Sequence, residues 1–140
     1  MKNMYEVFDD FVKAPDKESK IAVLRNDRRQ VLQNVLQGAF HPDIQYVIKE
    51  KVPYKASDSP PGMGYTSIEG EMKRIYLLVE GSKRVDPNLS LQRKKVILAQ
   101  MLEAMEKREA EVFMNMILKD LKVKGLTYKV VQEAFPGLLP

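Results

Sequence analysis

The chain predicts an all-α fold, an irregular bundle of six to eight helices in a single domain spanning residues 1–140. Three observations carry this. Apolar residues recur at helical spacing nearly throughout. Capping residues stand ahead of these runs, and proline or glycine closes them. A chain of 140 residues, 44% of them apolar, is long enough to bury roughly two-thirds of its unfolded surface in one core.

The elements follow in order. Tyr5, Phe8, Phe11 and Val12 form one face of a first helix, which Pro15 ends. Asp16 caps a second helix carrying Ile21, Val23 and Leu24. Asp27 and Gln30 stand at capping-box spacing for a third, whose apolar residues are Val31, Leu32, Val35, Leu36 and Phe40. His41-Pro42 breaks it. Ile44, Tyr46, Val47 and Ile48 then make a short apolar segment, helical or extended.

Residues 50–67 are the longest irregular piece, because Pro53, Pro60, Pro61, Gly62 and Gly64 oppose regular structure. Loops of that length inside a domain are as a rule functional or mobile. Thr66 and Glu69 sit at capping-box spacing for a helix with Met72, Ile75, Tyr76 and Val79, and Gly81 stops it. Asp86-Pro87-Asn88 turns the chain, and Ser90 caps the strongest helix, Leu91 to about Met105. Its stripe is Leu91, Leu98, Met101, Leu102 and Met105. A last long helix puts Ala110, Phe113, Met114, Ile117 and Leu121 on one face and ends near Leu121. A short helix follows Thr127 and closes at Phe135-Pro136-Gly137.

The formal net charge is +4, from 23 basic and 19 acidic residues. This modest bias favours a polyanionic partner. The absence of cysteine excludes disulfides and thiolate chemistry. No apolar run approaches the roughly 18 residues of a membrane span, and acids occupy the place of a signal peptide's apolar stretch in MKNMYEVFDDF. An intracellular, cytoplasmic protein with no membrane partner is expected.

The basic residues are grouped. Lys73, Arg74, Lys83, Arg84, Arg93, Lys94 and Lys95 face only Glu80 and Asp86 between residues 73 and 95. Lys83 and Arg84 in a loop, followed by a helix start with Arg93 and Lys94, form a candidate phosphate site. Lys119, Lys122, Lys124 and Lys129 face only Asp120 between residues 119 and 129. Gly125 lets the backbone approach a phosphate there, and Thr127 caps the next helix. The bland alternative for both groups is a solvated surface.

The remaining chemistry is sparse. Most aromatics, and methionines such as Met101, Met105 and Met114, fall at core spacing, with Tyr54 and Tyr65 less settled. His41 has no histidine partner, so neither a metal nor acid–base work is expected of it. Gly62-Met63-Gly64 lacks the lysine of a phosphate-binding loop. No metal or other cofactor is expected.

The segment from Asp120, DLKVKGLTYKVVQEAFPGLLP, resembles the end of the helical DNA-binding domain at the front of ATP-dependent DNA ligases, most closely the T-even phage type. Leu36 to Tyr54, LQGAFHPDIQYVIKEKVPY, and the Gly62-Met63-Gly64 loop have counterparts there, so the likeness is spread over roughly residues 20–140. Two positions depart from it. The loop after Asp120 is one residue longer, putting Lys124 before Gly125. Glu133 replaces a basic residue, removing one phosphate contact that the analogy implies. The Lys-x-Asp-Gly nucleophile motif of the ligases is missing: the nearest string, Lys122-Val123-Lys124-Gly125, has lysine in place of aspartate.

The resemblance implies the DNA-binding domain without its catalytic partner. The expected function is non-catalytic binding of duplex DNA through its phosphates, with little sequence specificity and with nicks or gaps as preferred structures. The expected contacts are Lys83, Arg84, Arg93, Lys94, Lys119, Lys122, Lys124, Gly125 and Lys129. The alternatives are an interaction module of a phage replication or repair complex, docking for example a sliding clamp at the 50–67 loop, or a virion or assembly component. If the two basic groups share a face, the first class gains; if they point apart, the interaction module gains.

Overall fold

The computed structural model describes residues 3–27, 29–55 and 66–140. The fold is all-α. Seven α-helices are present among the described residues: α1 Met4–Lys13, α2 Lys17–Asn26, α3 Gln30–Phe40, α4 Ile68–Met72, α5 Leu91–Ala104, α6 Lys107–Ile117 and α7 Tyr128–Ala134. A 3₁₀ turn, Ile75–Leu78, follows α4. Two isolated backbone bridges, Tyr46 with Val79 and Thr66 with Met105, supply the extended pairing seen.

Helix α6 is the hub and packs on α1, α3, α4 and α5. Its apolar face, with Ala110, Phe113, Met116 and Ile117 buried, meets Phe8 and Phe11 of α1, Leu32 and Leu36 of α3, and Leu98, Met101 and Leu102 of α5 in one core. Helix α7 packs separately on α2.

Three starts fall where the capping residues put them. Asp16 accepts from the Ser19 N–H at 2.8 Å, Ser90 from Arg93 at 3.1 Å and Thr127 from Val130 at 3.3 Å. Other expectations need correction. Asp27 does not cap α3: its carboxylate takes the Arg29 N–H and, in a fork, the Arg29 guanidinium, so the helix starts at Gln30. Ser67, not Thr66, caps α4, with its Oγ 3.0 Å from the Gly70 N–H. The single helix expected over Met72–Val79 is broken in two. The Val47 N–H reaches the Leu78 carbonyl and the Glu80 N–H reaches the Gln45 carbonyl, both at 2.8 Å, so strand pairing draws this stretch out of the helix. The same contact makes Tyr46 an isolated bridge to Val79, so the 44–48 segment is not helical.

The helix ends share one device, a cation brought from another element onto carbonyls that lack helical partners. Lys20 Nζ donates to Phe11 and Val12 at the end of α1, at 2.9 and 3.1 Å. Arg25 donates to Ala134 and Glu133 at the end of α7, at 3.1 and 2.7 Å. The converse occurs at the start of α1, where Glu109 of α6 accepts the Tyr5 N–H at 2.9 Å.

Gly38 is fixed by a close approach. A Cβ there would stand 2.7 Å from the Tyr46 hydroxyl and 3.0 Å from the Met116 sulfur. The hydroxyl itself donates to the Gly38 carbonyl at 3.1 Å. Gly38→Ala should therefore lose about 1–2 kcal/mol in urea unfolding despite alanine's helix preference. Tyr46→Phe in that background should cost less than it does in the parent.

Burial pushes the Glu109 carboxyl above the ordinary 4.5, against the N–H groups of Tyr5 and Met4, which pull it down. The folded protein thus binds this proton more tightly than the unfolded chain. The contribution to stability is full below 4.5 and is lost as pH rises through the folded value. Glu109→Gln keeps an acceptor and cannot ionise, so its stability relative to the parent should rise as pH increases from 4.5. Glu109→Ala strands the Tyr5 N–H and should lose about 1–2 kcal/mol at the acidic end of the series, a deficit that narrows as pH rises.

Candidate nucleic-acid interface

The second basic group begins where α6 stops. Leu118 is helical, and Lys119 turns left-handed at φ 63. The Lys119 N–H then reaches Met116 and the Asp120 N–H reaches Asn115, both at 3.0 Å, a closure usually built on glycine. The helix therefore ends four residues before Leu121. The lysine side chain accounts for its presence. Lys119 Nζ donates to the carbonyls of Gly38, His41 and Ile44 at 3.0, 2.8 and 2.7 Å. Burial, and then the neighbouring Lys49, hold its pKa below the ordinary 10.5. All three protons are used inside the protein, so the expectation that Lys119 contacts DNA is corrected: it is a structural cation.

The turn after it faces outward. Lys122 is left-handed at φ 57, held by its N–H on Asp120 Oδ1 at 3.1 Å. A tight turn follows, closed by the Leu126 N–H on the Val123 carbonyl at 3.1 Å, with Gly125 at φ 85 in its third position. Buried Leu121 and Leu126 pin the two ends. Between them Lys122, Lys124 and Gly125 are exposed, and Lys129 is exposed on α7. No carboxylate pairs with these three lysines among the described residues. The N–H groups of Val123, Lys124 and Gly125 also lack acceptors. Glu133 of α7 is occupied by Lys17 at 2.9 Å.

The first basic group is built on the 81–90 loop and α5. The Arg84 guanidinium lies 4.1 Å from the centre of the Tyr76 ring, which props it open to solvent. Lys83 and Arg93 are exposed, and Lys94 is half-buried. The first turn of α5 holds no acid to complement its positive end. Arg74 and Lys49 are partly neutralised by Glu71 at 3.5 Å and Glu80 at 3.2 Å.

Both groups border one segment. The Lys119 ammonium takes the Ile44 carbonyl, and Glu80 takes the next carbonyl, that of Gln45. Consecutive carbonyls of an extended chain point to opposite sides. The Lys122–Gly125 turn follows the first of these contacts along the chain, and the 81–90 loop follows the second. Beyond that junction they diverge, with α7 on α2 and α5 on α6.

Among the described residues no cluster of histidine or carboxylate side chains could hold a metal, and no helix is long and apolar enough to cross a membrane. His41 Nδ1 accepts the Asp43 N–H at 3.1 Å within its turn. The Pro60, Pro61, Gly62–Gly64 and Tyr65 expectations lie outside the described residues. Sequence reasoning missed the two left-handed lysines.

A family model described as "Family of unknown function (DUF6433)" matches residues 7–124, from within α1 through α6 to Lys124 of the basic turn. No curated protein matches the chain.

Lys119→Met removes the three donors and leaves the Ile44 carbonyl without a partner. It should lose about 2–3 kcal/mol in urea unfolding. Lys119→Gly relieves the left-handed backbone while losing the same bonds, and should be less damaged by about 1 kcal/mol.

Proposed function

The chain belongs to the DUF6433 family, whose function is unknown, and from its own residues we propose that it is a non-catalytic protein that binds duplex DNA. Binding is through the phosphate backbone, with little sequence specificity, and nicked or gapped duplex is the preferred form. The observation that carries this is the Lys122–Gly125 turn. It offers two unpaired ammonium groups and three backbone N–H groups without acceptors on one exposed, pinned loop. Phosphate oxygens satisfy both kinds of donor at once.

Arg84, Lys83 and Arg93 form a second basic group beside a helix start without acids, but on elements that diverge from the turn, so the reading rests on the turn and not on one shared basic face. The ligase-like stretches at Leu36–Tyr54 and 120–140 point the same way. No helix here combines exposed length with a row of side chains suited to a major groove, in keeping with backbone recognition. The missing Lys-x-Asp-Gly lysine supports the non-catalytic part.

Fluorescence anisotropy with intact and nicked duplexes at several salt concentrations tests this. With about four phosphates neutralised, log affinity should fall with log salt at a slope near −3.6. Replacing Lys122, Lys124 and Lys129 together by alanine should flatten the slope by about 0.9 per lost contact and leave the melting temperature within about 2 °C. The same variant should leave a protein partner bound at the 50–67 loop undisturbed. Parental affinity and slope in the triple variant would remove the turn from the interface.

A further inference from the structure

Beside the basic turn lies a cavity of about 360 Å³, between the outer face of α6 and the extended chain at Lys51–Tyr54. Its floor is apolar, formed by Val52 and Met114, both nearly buried. One wall is Tyr54, half-buried and packed against the core. The Lys55 N–H, held at 3.0 Å by Glu103, anchors this wall to the end of α5. Glu111 and Asn115 line the α6 side. The Asn115 carbonyl is committed to closing α6, whereas its side-chain amide has no hydrogen-bond partner. Lys51 and Lys122 stand at the mouth, both exposed and without a carboxylate partner.

These parts match one class of ligand. A planar apolar body with polar edges fits an aromatic wall over a thioether floor. A free amide and a carboxylate can read donor and acceptor groups at its edge. Two cations at the entrance call for a phosphate attached to that body. The size lies in the usual range for small-molecule sites. A base inside a duplex cannot enter, because its faces are covered by its neighbours.

We propose that this cavity takes one unpaired nucleotide of the bound DNA, with its base against Tyr54 over Val52 and Met114 and its phosphate between Lys51 and Lys122. The proposal rests on the DNA-binding reading, since Lys122 belongs to both the turn and the cavity. It gives a chemical reason for preferring interrupted duplex: only there is an unstacked base available. Tyr54 supplies the stacking face, and its hydroxyl stays protonated, since burial and then the Glu111 charge push its pKa up.

The test compares an intact duplex with the same duplex carrying a single bulged 2-aminopurine. Anisotropy should show the bulged duplex binding about tenfold tighter, within the range of one base–aromatic stack. The 2-aminopurine emission should be quenched on binding. Tyr54→Ala, checked for folding by its melting curve, should abolish the preference and the quenching and keep the affinity for intact duplex. Tyr54→Phe should retain both effects. Lys51→Ala, a surface change that leaves the fold intact, should reduce the preference severalfold. Equal binding of the two duplexes, or a preference with quenching that survives Tyr54→Ala, overturns the cavity proposal and leaves the DNA reading standing. Failure to bind either duplex at low salt overturns both.

Discussion

The Lys119 ammonium holds three parts of the chain at one point. It takes carbonyls from the last turn of α3, from the turn at His41 and from the extended segment at Ile44. Drawing a cation partly out of water is costly unless hydrogen bonds replace its hydration; here three carbonyl dipoles do so. The Gly38 carbonyl is shared with the Tyr46 hydroxyl, and the Tyr46 ring lies 5.9 Å from the same ammonium. Tyr46 in turn pairs its backbone with Val79. One charge thereby ties α3, the 44–48 segment, the 3₁₀ turn and the end of α6. The left-handed backbone at Lys119 aims the chain out into the basic turn, so the exposed lysines sit on a frame fixed before any ligand arrives.

The use of cations as caps changes how the net charge of this chain should be understood. Lys20, Arg25 and Lys119 each end a helix that belongs to a different stretch of sequence. Their charges are matched to helix C-termini, where positive charge is favourable. The positive charge offered to solvent comes instead from residues whose role is not structural: Lys122, Lys124 and Lys129 on one side, Lys83, Arg84 and Arg93 on the other. A charge count alone cannot separate the two kinds, because both are lysines or arginines near a helix end.

Much of the bundle was legible because its signals are local. Asp16, Ser90 and Thr127 cap helices through bonds spanning three residues. The Pro136-Gly137 turn closes within four residues, with the Leu138 N–H on the Phe135 carbonyl. The buried stripes of α3, α5 and α6 were equally plain, apart from Leu91, which is 48% exposed at the first position of α5. What failed was decided at a distance. The helix expected through Val79 breaks because residues 45–47 compete for its backbone. The end of α6 was set too late because Leu121 does fall on the apolar stripe, although the chain reaches that buried position by a left-handed turn. Exposure of Lys122, Lys124 and Lys129 could be read from their apolar neighbours Leu121, Leu126 and Val130. The role of Lys119 could not, since its partners lie 75 to 81 residues away.

The cap that Glu109 places on α1 joins residues 104 apart, and the clasp between Arg25 and α7 joins residues 108 and 109 apart. During synthesis the α1–α2 pair leaves the ribosome first, with Val7, Phe8, Phe11 and Leu24 facing water. Its partners are not yet made. At about 5–20 residues per second, α6 and α7 follow on the order of ten seconds later. For that interval the apolar residues of α1 lack the face of α6 on which they pack in the folded protein. A chain released before α6 therefore keeps these four side chains but lacks the helix face that α1 packs on.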